Sequence, residues 1–332
     1  MNYTESTEIL QLIKDAGRIL LNCHSRPDAD SVGSALALRQ VILGWGKDVK
    51  IICPDDIPTN LKFLEKFGMV EKVTFRDFDF SSWDLMICSD SSSWQRVAAD
   101  SGVERPTIKM ITIDHHKTNT RYGDLNLIDP TIAATCQLLF NLFKDWDTEI
   151  NSKEIATPLL TGIIGDTGAF RFPEADIDTL KVSLYLMEFS DKDEIIKNLY
   201  QSYDLKSVKL WGEILGNMEF NAENNYVWSA IGKDVFGKYG SPIGSKSEIA
   251  DMLFQSINNT DFGMVIVEEN DGYVSVSLRS RSGFDVSEIA EKLDGGGHRW
   301  AAAGKVLNMS FDQALEKIHN VASDVCKSQK RN

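Results

Sequence analysis

Acidic and histidine side chains stand at four places in the first half of the chain, and together they have the chemistry of a metal site. In chain order they are His24, Asp28 and Asp30, then Asp90, then Asp114, His115 and His116, and last Asp166. Carboxylates that lie close together repel one another unless cations lie between them. Hard oxygens with a minority of imidazole nitrogens suit Mn²⁺ or Mg²⁺ better than metals that prefer thiolates. The pattern therefore predicts a site for two metal ions.

Three of these four places follow short apolar runs that are typical of buried β-strands. The runs are residues 19–21, 85–88 and 110–113. In an open parallel sheet the carboxyl ends of the strands face one crevice, so residues far apart in sequence meet there. Asp166 instead follows a helical pattern at 155–164, and we expect it to come from the end of a helix.

Strands and helices alternate to about residue 130, which predicts an α/β domain with a parallel sheet. Asp28 and Asp30 are expected in a loop after the first strand, and Ser31 is the predicted N-cap of the next helix. Beyond residue 216, the runs 226–231 and 273–278 predict strands of a smaller mixed sheet.

The length of 332 residues predicts two domains. We expect a metal-binding catalytic domain at 1–190, a helical connector at 191–215 and a substrate-binding α/β domain at 216–332. The active site is expected in the cleft between the two domains.

Composition narrows the class of protein. With 42% hydrophobic and 25% charged residues the chain is typical of soluble globular proteins. Its start lacks the pattern of an export signal, and no apolar run reaches the roughly 20 residues of a membrane span. Five separate cysteines without a C-x-x-C pair indicate reduced core thiols, so we expect a cytoplasmic protein. They are Cys23, Cys53, Cys88, Cys136 and Cys326.

The formal net charge of −14 argues against a broad nucleic-acid-binding surface, because affinity for a phosphate backbone comes from Lys and Arg. Any nucleic-acid substrate must therefore be small. No G-x-G-x-x-G follows the first strand and the chain has no Walker motif, so a nucleotide cofactor is not supported.

A glycine triplet, 295–297, precedes His298, and Arg279 and Arg281 end an earlier predicted strand. Successive glycines let backbone N–H groups approach an anion closely, and arginine and histidine add donors for phosphate. A glycine triplet alone is more often a turn. This segment is a candidate phosphate-binding element.

Several of these residues also have structural explanations. Asp90 could cap a turn or helix beside Ser91, and a D-x-D pair occurs by chance in solvated loops. The adjacent histidines 115 and 116 are harder to explain in this way, and we expect one to bind metal and the other to meet substrate. His319, in a predicted C-terminal helix, is expected to be structural.

The motifs resemble those of the DHH phosphoesterase superfamily with its DHH-associated C-terminal domain. They are His-Ser-Arg-Pro-Asp-Ala-Asp-Ser-Val-Gly-Ser at 24–34, Asp90, Asp-His-His at 114–116, Gly-Asp-Thr-Gly at 165–168 and Gly-Gly-Gly-His at 295–298. The resemblance covers nearly the whole chain, and the order and spacing are most similar to the NrnA-type enzymes.

The resemblance implies roles for particular residues. One metal ion would be held by His24, Asp28 and Asp90, and the other by Asp30, Asp90, His115 and Asp166. His116 would contact the scissile phosphate and act with Asp90 and His115 in catalysis. The substrate-binding residues would be Arg96, Arg279, Gly296, Gly297 and His298.

The resemblance also implies a reaction, a cofactor and partners. We expect hydrolysis of short oligoribonucleotides to mononucleotides and dephosphorylation of 3′-phosphoadenosine 5′-phosphate (pAp). The cofactor would be two divalent ions, Mn²⁺ first, with Mg²⁺ or Co²⁺ as alternatives. The partners would be short single-stranded RNA or DNA, pAp and linear dinucleotides, with no membrane and with a homodimer left open.

Two other functions remain compatible with the sequence. An exopolyphosphatase or inorganic pyrophosphatase would use the same metals, but its pocket should be lined by Lys and Arg, whereas Trp300 beside the Gly-Gly-Gly-His segment favours a nucleotide. A non-catalytic nucleotide sensor would be indicated by the loss of a metal ligand, and the sequence retains each one.

Overall fold

The computed structural model describes residues 3–240 and 245–329, and the chain divides into two units, Met1–Ser202 and Tyr203–Asn332. Each unit has its own sheet and its own hydrophobic cores. They are described separately below.

The predicted connector at 191–215 is shared between the two units. The helix Lys192–Tyr200 packs Ile195 into the main core of the first unit. The helix Leu205–Gly216 packs Trp211 into a core of the second unit. The second unit therefore begins before residue 216, because an amphipathic helix belongs to the core that covers its apolar face.

The first unit alternates strands and helices as the sequence predicts. Its strands are β1 Arg18–Asn22, β2 Asp48–Cys53, β3 Val70–Lys72, β4 Leu85–Ser89, β5 Lys109–Asp114 and β6 Leu125–Ile128. Its helices are α1 Ser6–Asp15, α2 Ala29–Gly44, α3 Trp94–Ala98, α4 Thr135–Asp145, α5 Lys153–Asp166, α6 Ile177–Met187 and α7 Lys192–Tyr200, with a 3₁₀ stretch at Thr59–Phe67.

The six strands pair in the order β3-β2-β1-β4-β5-β6, and each pair is parallel. The chain first builds outward from β1 to β3 and then continues on the other side of β1 with β4. Strand order thus reverses between β1 and β4, and ligands of open α/β sheets bind beyond the carboxyl ends of the strands at such a point. The prediction of a parallel α/β domain is confirmed.

Both faces of this sheet are covered, which explains why its strands are continuous apolar runs. Successive side chains point to opposite faces, so Ile19 and Leu21 join the core with α2, α4 and α5, while Leu20 joins Met86 and Trp94 in a second core. All five cysteines lie in the described part of the chain, are buried and form no disulfide there, so the prediction of core thiols is confirmed.

The start of α2 differs from the prediction. The N-cap is Asp28, whose Oδ1 accepts from the backbone N–H of Ser31 at 3.0 Å, and the helix begins at Ala29. Asp30 therefore lies in the first helical turn and not in a loop. A carboxylate three residues before an unpaired helical N–H caps it directly, and the Ser31 hydroxyl instead accepts from the backbone N–H of His24.

The second unit is the smaller of the two and contains a mixed sheet, as predicted. The sheet itself is not smaller than the first, because it also has six strands. Its elements are α8 Leu205–Gly216, β7 Glu219–Asn221, β8 Tyr226–Ile231, α9 Lys233–Lys238, α10 Ser245–Met252, a 3₁₀ turn Phe254–Ser256, β9 Phe262–Asn270, β10 Tyr273–Ser280, α11 Ser287–Glu291, β11 Gly296–Gly297, β12 Ala301–Leu307 and α12 Phe311–Gln329. The strand order is β11-β12-β10-β9-β8-β7, with β8 and β9 parallel and the other pairs antiparallel.

Helix α12 covers one face of this sheet through Ala314, Ile318 and Ala322. His319 lies on α12, and its Nδ1 is 2.8 Å from the hydroxyl oxygen of Tyr226. Burial lowers the pKa of His319, which suits the structural role predicted for it. Among the residues described, no helix combines the length and apolar character needed to cross a membrane.

Candidate metal centre

The carboxyl ends of three neighbouring strands carry three of the four predicted groups. His24 lies two residues after β1, Asp90 directly follows β4, and Asp114 ends β5. Because β4 lies between β1 and β5, the groups lie side by side. Asp90 has a φ of 53°, a left-handed backbone that is uncommon for a non-glycine residue and is concentrated at functional sites.

Two helices bring the remaining acids to the same edge. Asp30 lies in the first turn of α2, and Asp166 ends α5, as predicted. These helices pack so closely that a Cβ on Gly33 would lie 2.4 Å from the carbonyl oxygen of Pro158. A Cβ on Gly162 would lie 2.7 Å from Asp30 Oδ1. The absence of side chains at both glycines therefore allows α2 and α5 to bring their acids together.

The first group consists of His24, Asp28 and Asp90, and their ligand atoms are close enough to hold one metal ion. His24 Nε2 lies 3.3 Å from Asp28 Oδ2 and 3.4 Å from Asp90 Oδ2. The side chains of His24 and Asp90 are each 2% exposed, whereas that of Asp28 is 51% exposed. The group therefore opens to solvent on the Asp28 side.

The second group consists of Asp30, His115 and Asp166. His115 Nε2 lies 3.1 Å from Asp166 Oδ2 and 3.7 Å from Asp90 Oδ1. Asp90 thus presents Oδ2 to the first group and Oδ1 to the second. A third, overlapping group joins Asp90 and His115 to His116. The structure brings all six residues predicted as metal ligands into adjoining groups.

The ring orientations of two histidines fit metal binding. Nδ1 of His24 lies 2.9 Å from the carbonyl oxygen of Ser25, and Nδ1 of His115 lies 3.2 Å from that of Ile132. A carbonyl can only accept, so each Nδ1 carries the proton and each Nε2 is left as a ligand atom. Nε2 of His115 is buried and faces Asp166 Oδ2 at 3.1 Å. Both atoms belong to a group of side chains that could hold a divalent cation.

Asp30 has a second role that the sequence did not suggest. Its Oδ2 accepts from the backbone N–H of Thr135 at 2.6 Å, and its Oδ1 accepts from that of Cys136 at 2.9 Å. These N–H groups begin α4, whose N-cap residue Ala134 offers no side-chain acceptor. Asp30 therefore caps α4 from another element, and the two hydrogen bonds fix its carboxylate while each oxygen keeps a lone pair for a metal ion.

Sequence reasoning included Asp114 in the candidate metal cluster but gave it no individual role, and the structure places it behind His116. Asp114 is fully buried, and its Oδ1 lies 2.6 Å from His116 Nδ1. Its Oδ2 accepts from Asn119 Nδ2 at 2.6 Å, and the same Nδ2 lies 3.0 Å from the carbonyl oxygen of Ser91. Asn119 thus ties the loop after β5 to the loop that carries Asp90. The adjacency of Asp114 to two histidines was the signal in the sequence.

The ionisable groups of the site shift one another's pKa values. Burial alone lowers the pKa of His24, but the carboxylates of Asp28 and Asp90 outweigh it and raise that pKa to about 10. Burial raises the pKa of Asp30 well above its usual range, and the charges of Asp90 and Asp166 add to this. The site therefore carries excess negative charge that protons or divalent cations can neutralise.

Arg96, predicted to bind substrate, lies on α3 near the first group. It is half-buried, and burial lowers the pKa of its guanidinium, against the opposing attraction of the Asp28 and Asp90 carboxylates. The backbone N–H of Ser25 donates to the carbonyl oxygen of Arg96 at 2.8 Å, which holds α3 to the loop that precedes Asp28. Arg96 is thus the predicted substrate residue that the structure places beside the metal ligands.

The other predicted substrate residues lie in the second unit. Arg279, near the end of β10, is buried, and its guanidinium binds Asp251 through both Nε and Nη2, the latter at 3.0 Å from Oδ2. Gly296 and Gly297 form β11, beside β12, and His298 is exposed. The backbone N–H of His298 donates to the carbonyl oxygen of Ala301 at 2.8 Å, so this segment is a hairpin with one of its N–H groups already bound.

The first unit has two adjoining ligand groups, with Asp90 between their histidines, at the carboxyl edge of a parallel sheet, and the second unit has a mixed sheet. Together these features define a DHH-type architecture. Residues 18–163 match the model of the DHH family, N-terminal domain, and residues 232–328 match the DHHA1 domain. The chain belongs to the DHH family, and its relatives place it among the NrnA-type members.

Two of these relatives are described as the bifunctional oligoribonuclease and PAP phosphatase NrnA. The protein of Thermus thermophilus is 31% identical over 94% of this chain and 90% of its own length. That of Bacillus subtilis is 29% identical over 97% of this chain and 98% of its own length. A solved exopolyphosphatase-related protein from Bacteroides fragilis is 24% identical and has a TM-score of 0.85, with 98% of this chain and 97% of that chain covered. At 24% identity, the similarity to the Bacteroides fragilis structure shows the fold alone.

Proposed function

We propose that the chain is a metal-dependent phosphoesterase that hydrolyses short oligoribonucleotides to mononucleotides and dephosphorylates pAp. The Thermus and Bacillus relatives, which are described with both activities and align over nearly the whole chain, support this function over the exopolyphosphatase or pyrophosphatase alternative. The sensor alternative requires a missing ligand, and the residues described supply all six.

The position of Asp90 is the observation that carries the proposal. Its two carboxylate oxygens face different histidines, Oδ2 at 3.4 Å from His24 Nε2 and Oδ1 at 3.7 Å from His115 Nε2. Thr135 Oγ1 lies 3.2 Å from Asp90 Oδ1 and helps to hold it. A carboxylate that serves two adjoining groups is suited to bridge two cations, which is the arrangement of hydrolytic two-metal sites.

We propose that His24, Asp28 and Asp90 hold one ion and that Asp30, Asp90, His115 and Asp166 hold the other. Mn²⁺ is the first candidate, with Mg²⁺ or Co²⁺ as alternatives. When bound, such ions lower the pKa of a water molecule and offset charge on phosphoryl oxygens.

His116 is proposed to contact the scissile phosphate. Its Nδ1 is engaged by Asp114, unlike the Nδ1 atoms of His24 and His115, which face backbone carbonyls. A buried carboxylate behind the ring keeps the proton on Nδ1, favours the protonated ring and fixes its orientation. A histidine held in this way can donate to a phosphoryl oxygen as negative charge develops there.

Substrate capture by Arg96, Arg279, Gly296, Gly297 and His298 remains part of the proposal. The Arg279 contact with Asp251 bears on it, because a guanidinium that binds phosphate has to exchange this carboxylate for the ligand. Removal of Asp251 should therefore change substrate affinity in the opposite direction to removal of Arg279.

The test is a comparison of substrates with the purified full-length chain and Mn²⁺. We expect mononucleotides from di- to decaribonucleotides and phosphate from pAp, with Asp90→Asn inactive on both. Phosphate release from pyrophosphate or polyphosphate that exceeds release from pAp, without mononucleotide formation, would support the alternative enzyme. Binding of dinucleotide with no hydrolysis in Mn²⁺, Mg²⁺ or Co²⁺ would support the sensor.

A homodimer is proposed on the basis of α6. Ile177, Leu180 and Leu184 form an exposed apolar stripe on this helix, with Asp178 and Lys181 alongside. Around a two-fold axis these opposite charges can face each other across the paired stripes. Sedimentation of the wild-type chain and of Leu184→Glu tests this, with a monomeric mass for the wild type as the contradicting result. A cytoplasmic location is proposed from the five reduced thiols.

A further inference from the structure

Two arginines lie on the segments next to the first ligand group. Arg26 is exposed and lies in the loop between His24 and Asp28, and Arg96 is half-buried on α3. The hydrogen bond from the backbone N–H of Ser25 to the carbonyl oxygen of Arg96, 2.8 Å long, joins the two segments directly. The two arginines are therefore held near each other beside the first ligand group.

Neither guanidinium forms a hydrogen bond or an ion pair with another residue in the described part of the chain. The arginines repel each other, since the charge of Arg26 is one of the factors that lower the pKa of Arg96, behind burial. The carboxylates of Asp28, Asp90 and Asp55 offset part of this charge from nearby. Asp28 and Asp90 are proposed metal ligands, so a bound cation would take up much of that compensation.

The backbone of Arg26 is also held in an unfavourable conformation. Its φ is 52°, in the left-handed region that a long side chain seldom adopts. The carboxylate of Asp55 fixes it by accepting from the backbone N–H of Arg26 at 2.7 Å. Oδ2 of Asp55 therefore accepts from the backbone of Arg26 and not from its guanidinium. The loop holds one cation beside another, and an anion from outside the chain would stabilise the pair further than the nearby carboxylates do.

We propose that Arg26 and Arg96 form a subsite for a second, non-scissile phosphate of the substrate. The inference rests on the proposed function and deepens it, because it selects nucleotides that carry two phosphate groups, such as pAp or a 5′-phosphorylated dinucleotide. Guanidinium groups suit this ligand, since each presents a planar fork of donors that matches two phosphate oxygens. Arg26 is then a specificity-determining residue.

The kinetic test compares substrates that differ by this one phosphate. For Arg26→Ala, kcat/KM should fall about 10- to 100-fold with pAp and with the dinucleotide pApA, in line with loss of a charge-assisted contact. It should change less than about twofold with adenosine 3′-monophosphate and with ApA. Arg26→Lys, which keeps the charge but loses the fork, should lie between. Lys109→Ala, which removes an exposed charge at the opposite end of β5, is the matched control and should leave all four substrates unaffected.

A binding measurement separates this inference from the activity. Adenosine 5′-monophosphate is a product and is not consumed, so its dissociation constant for the Mn²⁺-loaded chain can be measured by calorimetry. We expect Arg26→Ala to raise this dissociation constant about tenfold or more. Equal losses on all four substrates, or unchanged affinity for the monophosphate, would overturn the subsite. A wild-type chain that hydrolyses none of the four would contradict the proposed function, and the calorimetric comparison would still decide the subsite.

Discussion

His116 Nδ1 lies 2.6 Å from Asp114 Oδ1, and this buried carboxylate sets the orientation of the ring. Asp114 is held in turn by Asn119, so a chain of three side chains connects the proposed phosphate contact to the loop that carries Asp90. The histidines 115 and 116 are adjacent in sequence, yet their rings are held by different partners. This difference supports the proposal that His115 binds metal and His116 contacts substrate.

Replacement of Asp114 by Asn should lower kcat about 10²-fold or more while both metal ions stay bound. The amide no longer holds the proton on His116 Nδ1, so the ring loses its fixed tautomer and orientation. The measurements are kcat and KM on a dinucleotide, with metal content determined in parallel. Asn119→Ala should give a smaller loss of the same kind. Wild-type kcat in Asp114→Asn would contradict the positioning role.

Asp90→Asn should abolish turnover on every substrate and reduce the bound metal. The change removes the charge shared by the two ligand groups, whose histidines lie 3.4 Å and 3.7 Å from its carboxylate oxygens. Metal content and activity should fall together, whereas Asp48→Asn, at the exposed start of β2, should alter neither. A folded Asp90→Asn variant with two bound ions and near-native activity would refute the bridging assignment.

Stability of the metal-stripped chain should decrease as pH rises from about 6.5 to 8.5. The folded pKa of His24, about 10, exceeds the unfolded value of roughly 6.5, so protonated His24 stabilises the fold fully below pH 6.5 and this stabilisation is lost as pH approaches 10. Asp30, with a raised pKa, acts in the same direction, because folding disfavours its ionised form. Asp28 has a lowered pKa, so its stabilising effect is fully present above about pH 4 and is lost only as pH falls below that value, which leaves this interval unaffected.

Thermal unfolding with a chelator and with Mn²⁺ measures this effect. The melting temperature with Mn²⁺ should exceed that with chelator by more as pH rises. At high pH the stripped site loses the protons that neutralise its carboxylates, whereas in the loaded site the cations supply that charge. His24→Gln should make the melting temperature of the metal-stripped chain less dependent on pH. A melting temperature that rises over this interval would contradict the assignment of excess negative charge to the site.

Gly162→Ala should destabilise the first unit by about 1–3 kcal/mol and weaken metal binding. The added Cβ would lie 2.3 Å from Cys136 Sγ and 2.7 Å from Asp30 Oδ1, so the α2–α5 contact has to open. Gly212→Ala is the matched control, because a Cβ there meets no atom within 4 Å and alanine favours the helix by up to about 1 kcal/mol. Denaturant unfolding and metal titration compare the two, and equal effects would contradict the packing argument.

Arg279→Ala should raise KM for dinucleotides about 10- to 150-fold and leave metal content unchanged. Asp251→Ala should lower KM, because it removes the carboxylate that now occupies the guanidinium. Neither substitution should change KM for a small aryl phosphodiester, because hydrolysis of that substrate requires only the metal ions. If both variants raise KM equally, the ion pair supports the fold of the second unit and Arg279 does not bind substrate.

Local patterns in the sequence were enough to predict the parallel sheet and the positions of the candidate ligands. Apolar runs indicated β1, β4 and β5, and the residues after each run had to meet because parallel strands end at one edge. The same reasoning placed Asp166 at the end of a helix. These inferences depend only on periodicity within a few residues and on one rule of sheet topology. One amino-acid sequence is therefore enough to make them.

The tertiary structure decided which partner each charged group has. Asp30 accepts from Thr135 and Cys136, more than 100 residues away, and Arg279 binds Asp251 on a helix that the sequence did not single out. The capping of α2 by Asp28 and not by Ser31 was likewise settled by geometry. Composition and spacing identify which side chains can ligate, donate or cap, but distances of 3 Å between remote residues arise only when helices and strands have packed.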